Sequence, residues 1–379
     1  MSECGDRRKN ERLVKMRKQQ IATWLLILLV VAGCLTPTPT PSPIPTPTVS
    51  SPLATPERSL VATPVPIARR SKVSVHTGNR PEGLDGFLEV AFPTVVYSLN
   101  NGLYAEIVDH SPHTLLVRRV QNSVWGRLPD GMYNGLLSDN WEAVARASAR
   151  HEALEKTINV PVLVTPIFTV NVALNFMQFV KLTRQDYVAP MNEPVLGSAT
   201  GDYALKARWL DAWFQEWLTI AHQNGIKGSI YSFPTGEPPV EAVPYLVGSA
   251  RMAAQFGDII DVHEYGINGG MMSGGESGAF RFVQFYNALP PDARPKFVIS
   301  EFSSGNGYDT GLHGVAWISD AVAYGLRLRQ YPYLIGAAAF QLDLGAESNI
   351  PPDVLEQYAL AASRINWSFT YRVYLPLVR

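Results

Sequence analysis

Three stretches of this chain end an apolar run on groups that can move protons or attack carbon. They are 188–194 (VAPMNEP), 259–265 (IIDVHEY) and 296–302 (KFVISEF). Burying a carboxylate is costly unless it is paired or used, so Glu193 and Glu301 call for an explanation. Two carboxylates that converge suit cleavage of a glycosidic bond. One, protonated, assists the leaving oxygen, while the other stays ionised to attack or to stabilise the cation-like sugar. Different surroundings split the two pKa values.

The elements that must position them are legible as alternating apolar runs and amphipathic stretches. Strands are expected at 72–76, 94–99, 114–120, 187–191, 228–233, 259–265, 296–302 and 335–342. The clearest helix is 202–223, where Leu205, Trp209, Trp213, Trp217 and Ile220 recur at helical spacing and Asn224-Gly225 closes the segment. Further helices are expected at roughly 139–157, 241–256, 278–288, 314–330 and 352–365. Eight strands mostly separated by helices fit a (β/α)8 TIM barrel. The apolar segment 158–186, with Pro161 and Pro166, reads as an irregular extension of the third helical layer, with a hidden extra strand as the alternative.

In such barrels functional residues sit at the C-terminal ends of strands. Strand four ends in Asn192-Glu193, strand six in His263-Glu264-Tyr265 and strand seven in Glu301. Strands four and seven face across the barrel mouth, so both carboxylates converge. Alternation along strand six puts His263 and Tyr265 on one face and turns Glu264 toward a neighbouring loop or helix. Arg118 and Arg119 end strand three, and Arg119 is the candidate for the cleft.

The order and spacing of NEP, HEY and ISEF resemble the clan A glycoside hydrolases, the retaining (β/α)8 superfamily, over roughly 71–366. The resemblance implies that Glu193 is the acid/base and Glu301 the nucleophile. It also implies that Asn192 holds the sugar 2-hydroxyl, that Tyr265 donates to the nucleophile and that His263 lines the cleft. Members often carry a Trp at the end of strand eight; here Phe340 and Gln341 stand in its place. The two carboxyl groups are expected about 5–5.5 Å apart, as retention requires. The expected partner is a carbohydrate, bound by a monomer without cofactor or metal. A non-catalytic glycan-binding protein and a transglycosylase are the competing readings.

The N-terminus sets the compartment. Residues 1–20 hold seven Lys/Arg and three acids, followed by the apolar run IATWLLILLVV (21–31) and by VAGC, 31–34. That succession resembles a bacterial lipobox, which implies lipidation of Cys34 as the mature N-terminus; an uncleaved membrane anchor is the alternative. Either way the protein is expected outside the cytoplasm, tethered to the cell membrane. Residues 35–70, rich in Thr-Pro, are expected to form an extended stalk, and 367–379 an apolar tail.

Several classes are excluded. The chain's two cysteines, Cys4 and Cys34, both precede the folded domain, which therefore has no disulfide and no thiol ligand. Beyond residue 20 there remain 25 basic against 30 acidic residues, no footprint for nucleic acid. No G-x-S-x-G elbow occurs, and the Gly-rich run 266–278 lacks the Lys-Ser/Thr of a phosphate loop. His110 and His113 flank a Ser-Pro turn and read as a solvated loop. Trp209, Trp213 and Trp217 read as packing, whereas Trp125, Tyr133 and Trp141, around a loop after strand three, are candidates for stacking on sugar.

Overall fold

The computed structural model describes residues 70–367, except 79–81, 100–106, 108, 121–138, 166–167, 184, 198–201, 267–268, 273–277, 306–310 and 343–349. All of these lie in the second of the two units into which the chain divides, Met1–Ala62 and Thr63–Arg379. Cys34, the apolar run 21–31, nearly all of the Thr-Pro stretch and the tail 368–379 lie outside the described residues. No helix among the described residues is long and apolar enough to cross a membrane.

The strands are β1 (Val73–Thr77), β2 (Val95–Ser98), β3 (Leu115–Arg119), β4 (Thr157–Thr165), β5 (Phe168–Asn175), β6 (Tyr187–Ala189), β7 (Ser229–Phe233), β8 (Ile259–Gly266), β9 (Lys296–Ser304) and β10 (Leu334–Leu342). Eight of them form one parallel sheet in the order β6-β3-β2-β1-β10-β9-β8-β7. Its two ends meet where Val188 bridges to Gly228 and donates its N–H to the carbonyl of Lys227 at 2.9 Å. The ring is a (β/α)8 TIM barrel, as expected. Strands buried on both faces are near-continuous apolar runs, which is why each was visible in the sequence. Val95, Tyr97, Val117, Ala189, Ile259, Val298 and Ala338, all from barrel strands, form a cluster of their own, the packed filling of such a barrel.

The helices are α1 (Leu84–Ala91), α2 (Trp141–Arg150), α3 (Phe176–Leu182), α4 (Tyr203–Gln223), α5 (Val247–Phe256), α6 (Arg281–Ala288), α7 (Gly314–Leu328) and α8 (Pro352–Trp367). In α4, Trp209, Trp213 and Trp217 are fully buried, which confirms them as packing residues. The helix closes on Gly225, whose φ of 71° lies in the left-handed region that favours glycine. The expected helix 241–256 is divided into a 3-10 turn, Val240–Tyr245, and α5.

The segment 158–186 corrects the sequence reading. It is no extension of the helical layer: β4 and β5 form a separate antiparallel hairpin, and α3 follows. The segment is rich in Thr, Val and Ile, residues that suit strands. Pro161 is tolerated opposite Asn171 because both strands of a two-stranded sheet are edges. The start of α3 is a capping box: the Asn175 side chain accepts from the Gln178 N–H at 2.8 Å, and the Gln178 side chain accepts from the Asn175 N–H at 3.0 Å. Helix α1 was also not expected. Neither change alters the barrel count, so the functional strands keep their places.

Candidate active site

Glu193 follows β6 at the seam where the barrel closes. Its backbone has φ of 51°, and its N–H donates to the carbonyl of Ser232 on β7 at 3.0 Å. Tyr231 and Ser232 on the facing strand also have positive φ, 79° and 46°. Non-glycine residues in this region are uncommon and are held there only by surrounding structure. The Glu193 side chain remains 24% exposed, the accessible member of the cluster.

Glu301 lies on β9 directly opposite His263 of β8 and is almost fully buried. Arg119 Nη1 donates to its Oε1 at 2.6 Å, and the Tyr265 hydroxyl donates to its Oε2 at 2.7 Å. Burial pushes the Glu301 pKa up. The Arg119 guanidinium, the His263 N–H and the Tyr265 hydrogen bond outweigh burial and hold it down at about 2. Burial and the neighbouring Glu301 keep Tyr265 well above the usual phenol range, so it remains a donor.

The hydrogen bonds fix the tautomer of His263. Arg119 Nη2 lies 3.0 Å from His263 Nε2, and a guanidinium has no acceptor. Nε2 therefore accepts and Nδ1 carries the hydrogen, which it donates to Glu193 Oε1 at 2.8 Å. The same Nδ1 is 3.4 Å from Glu301 Oε2, so one N–H lies between the two carboxylates. An oxygen of Glu193, Nδ1 of His263 and an oxygen of Glu301 lie within 4.8 Å of one another. That trio has the spacing of a metal site, but a hydrogen on Nδ1 leaves no lone pair for a cation, so the donor set does not suit one.

Beneath this cluster is a layer that the sequence reading missed. The Tyr97 hydroxyl donates to Asp261 Oδ2 at 2.9 Å, and the Ser300 N–H to Asp261 Oδ1 at 3.2 Å. Burial raises the Asp261 pKa, opposed by the Arg119 charge and by its hydroxyl partners. The guanidinium of Arg119 lies 5.0 Å from the centre of the Tyr97 ring. His76 stacks on Tyr97 with centroids 5.2 Å apart and is fully buried, with neither ring nitrogen partnered among the described residues. Burial lowers its pKa to about 3. A signal existed: Asp261, His263 and Tyr265 alternate along one face of β8.

The remaining expectations divide. Asn192 is 6% exposed, and both of its amide atoms lack partners among the described residues. Phe340 reaches the site, its ring 6.1 Å from that of Tyr265 and 5.3 Å from that of His76. Glu264 turns away, as expected: it accepts from the N–H groups of Phe280 and Phe282, at 2.9 and 3.2 Å, and from the Tyr324 hydroxyl. Arg118 also turns away, 4.6 Å over the Phe179 ring of α3. Trp141 packs against the core from the start of α2. His110 pairs with Glu89 at 2.6 Å. The side chain of Gln341, together with Trp125 and Tyr133, lies outside the described residues.

No protein-family model matches the chain, and no curated protein does. Among solved structures, it is similar to a β-glucuronidase of Bifidobacterium dentium complexed with coumarin-3-O-glucuronide. The identity is 9% and the TM-score 0.43, over 78% of this chain and 46% of that one, so the chain spans a little under half of that protein's length. It is similar to a family 5 xyloglucanase from Paenibacillus pabuli, at 13% identity and TM-score 0.43, over 78% of this chain and 99% of that one. It is also similar to a GH128 endo-β-1,3-glucanase from Amycolatopsis mediterranei, at 13% identity and TM-score 0.36, over 77% and 100% of the two chains.

Proposed function

We propose that this protein is a retaining glycoside hydrolase, held outside the cytoplasm at the membrane by its N-terminal segment through Cys34 or an uncleaved anchor. The observation that carries the reading is the carboxylate pair: Glu301 is held ionised by Arg119 and Tyr265, with a Glu193 oxygen within 4.8 Å of one of its own. Retaining enzymes place their carboxyl groups about 5–5.5 Å apart, whereas inverting ones leave roughly 6.5–9.5 Å for a water. Glu301 attacks the anomeric carbon while Glu193 delivers a proton to the leaving oxygen. Glu193 then takes a proton from water, which displaces Glu301 and frees the sugar. Burial suits Glu301 to the covalent role, and exposure suits Glu193 to meeting water. Asn192, with no partner among the described residues, is placed to hold a sugar hydroxyl.

The test is reducing-sugar release from a broad glycan panel by the purified protein, beside Glu301→Gln and Glu193→Gln. Release that falls by several orders of magnitude in Glu301→Gln supports the reading and names the substrate. No release, with the same glycans retarding all three proteins equally in affinity gels, replaces it with a binding protein.

A further inference from the structure

The opposite end of the barrel holds a second concentration of charge. A cavity of about 500 Å³ is lined by Arg70, Lys72, His113, Lys296 and Arg329, together with Thr94 and apolar residues. Every one of these precedes or begins a barrel strand, so the cavity opens on the N-terminal face, away from Glu193 and Glu301. Among the described residues, no carboxylate lines it. Among the described residues, Arg70, Lys72 and Lys296 have no carboxylate within ion-pair distance.

Such an arrangement is unexpected for a surface that serves only stability. Like charges gathered in a recess repel, and a purely structural role for Arg70, Lys72 and Lys296 would be met by pairing these three with carboxylates. The folded domain is net acidic, so the cluster is not the by-product of a generally basic surface. Lys72, directly before β1, is half-buried. Its ammonium donates to the carbonyl of Leu334, which leaves two further donors. Arg70 donates through Nη1 to the carbonyl of His113 at 3.0 Å, while its Nε is buried without a partner among the described residues. The donors are therefore partly anchored by backbone and partly unsatisfied.

We infer that this cavity binds a multiply charged oxyanion of the phosphate class, with Lys72, Lys296, Arg329 and Arg70 as its ligands. Phosphate oxygens accept several charge-assisted hydrogen bonds at once, and Arg and Lys are the side chains suited to supply them. Burial, then Lys296 and Arg329, lower the Lys72 pKa to about 8, an effect that a bound anion opposes.

The experiment measures the acylation rate of Lys72 in the purified full-length protein at pH 8 by mass spectrometry, with Lys181 of α3, exposed and not among the residues lining the cavity, as internal control. Inorganic phosphate is added at constant ionic strength. At twice its dissociation constant it should slow Lys72 about threefold and leave Lys181 unchanged. In Lys296→Gln/Arg329→Gln, which keeps Lys72 itself, that protection should vanish. A second arm uses vesicles of phosphatidylcholine with or without phosphatidylglycerol. Protection by free phosphate assigns the site to a soluble anion. Protection only by the anionic vesicles assigns it to a lipid headgroup. Protection by neither probe, or equal protection in the double variant, overturns the inference.

Discussion

Arg119 and His263 are joined by a contact that only one protonation pattern permits. With Nη2 of the arginine 3.0 Å from Nε2 of the histidine, the ring accepts on that side and donates to Glu193 from the other. One guanidinium thus holds Glu301 ionised and orients the group that touches Glu193.

Replacing Arg119 tests both roles. Arg119→Met leaves Glu301 buried without its cation, and breaking a buried pair in this way costs about 3–5 kcal/mol. Denaturant unfolding should show that loss, and any glycosidase activity should fall by several orders of magnitude. Arg119→Lys keeps a charge but cannot span Glu301 and His263 together. It should recover part of the stability and little of the activity. Full activity in either variant would remove Arg119 from the mechanism.

The acid side of the stability curve should be steep. Glu301 has its pKa lowered to about 2, so its contribution is present above the unfolded value near 4.5 and is lost as pH falls toward 2. His76 is buried neutral with a pKa of about 3, so unfolding takes up a proton below its unfolded value of 6.5. Below pH 4.5 both groups destabilise the fold as pH drops, each by up to about 1.4 kcal/mol per unit. Glu264 acts the other way: burial raises it to about 7, so its contribution is lost as pH rises from 4.5 through 7. In His76→Phe the acid slope should fall by about one proton. The decline from Glu264 should then emerge between pH 4.5 and 7. Chemical denaturation across pH reads both effects, and an unchanged slope in His76→Phe would contradict the burial argument.

Glu264 separates structure from catalysis, because it neighbours two site residues yet points elsewhere. Its carboxyl group accepts from N–H groups at the start of α6 and from Tyr324. Removing an acceptor leaves buried donors unsatisfied, at roughly 1–3 kcal/mol for each. Glu264→Ala should therefore lose about 2 kcal/mol or more in urea unfolding, with kcat within a few-fold of wild type below its melting range. A loss of kcat without loss of stability would place Glu264 in the reaction.

How much of this was legible in the sequence follows from what each residue does. The barrel strands were visible because strands buried on both faces are written as unbroken apolar runs, and Glu193, His263, Tyr265 and Glu301 stood out as polar groups that stop such runs. The hairpin of β4 and β5 was not, because two prolines in an apolar stretch masked its strand composition, and the Asn175–Gln178 pair that caps the helix after it was passed over. Tyr97 and Asp261 were hidden for the opposite reason: each lies inside an apolar run, where one polar residue reads as a core exception, while His76 ends the first expected strand with no partner motif beside it. The tautomer of His263 rests on a distance from Arg119, which no spacing along the chain encodes. Arg70, Lys72, Lys296 and Arg329 are scattered in sequence and meet only because parallel strands all start at one face.

Asn192 yields the sharpest division between stability and function. Its amide is buried beside Glu193 with neither atom bonded among the described residues, a desolvated group that the free protein gains nothing by keeping. Asn192→Ala removes that unsatisfied pair and should leave the unfolding free energy within about 1 kcal/mol of wild type. If the amide grips a sugar hydroxyl as charge develops at the neighbouring carbon, the same change should lower kcat/KM by about 10²–10³-fold. Unfolding curves and steady-state kinetics on the same preparation measure both. A large loss of stability with unchanged kcat/KM would mean that Asn192 is bonded within the fold and does not wait for a substrate.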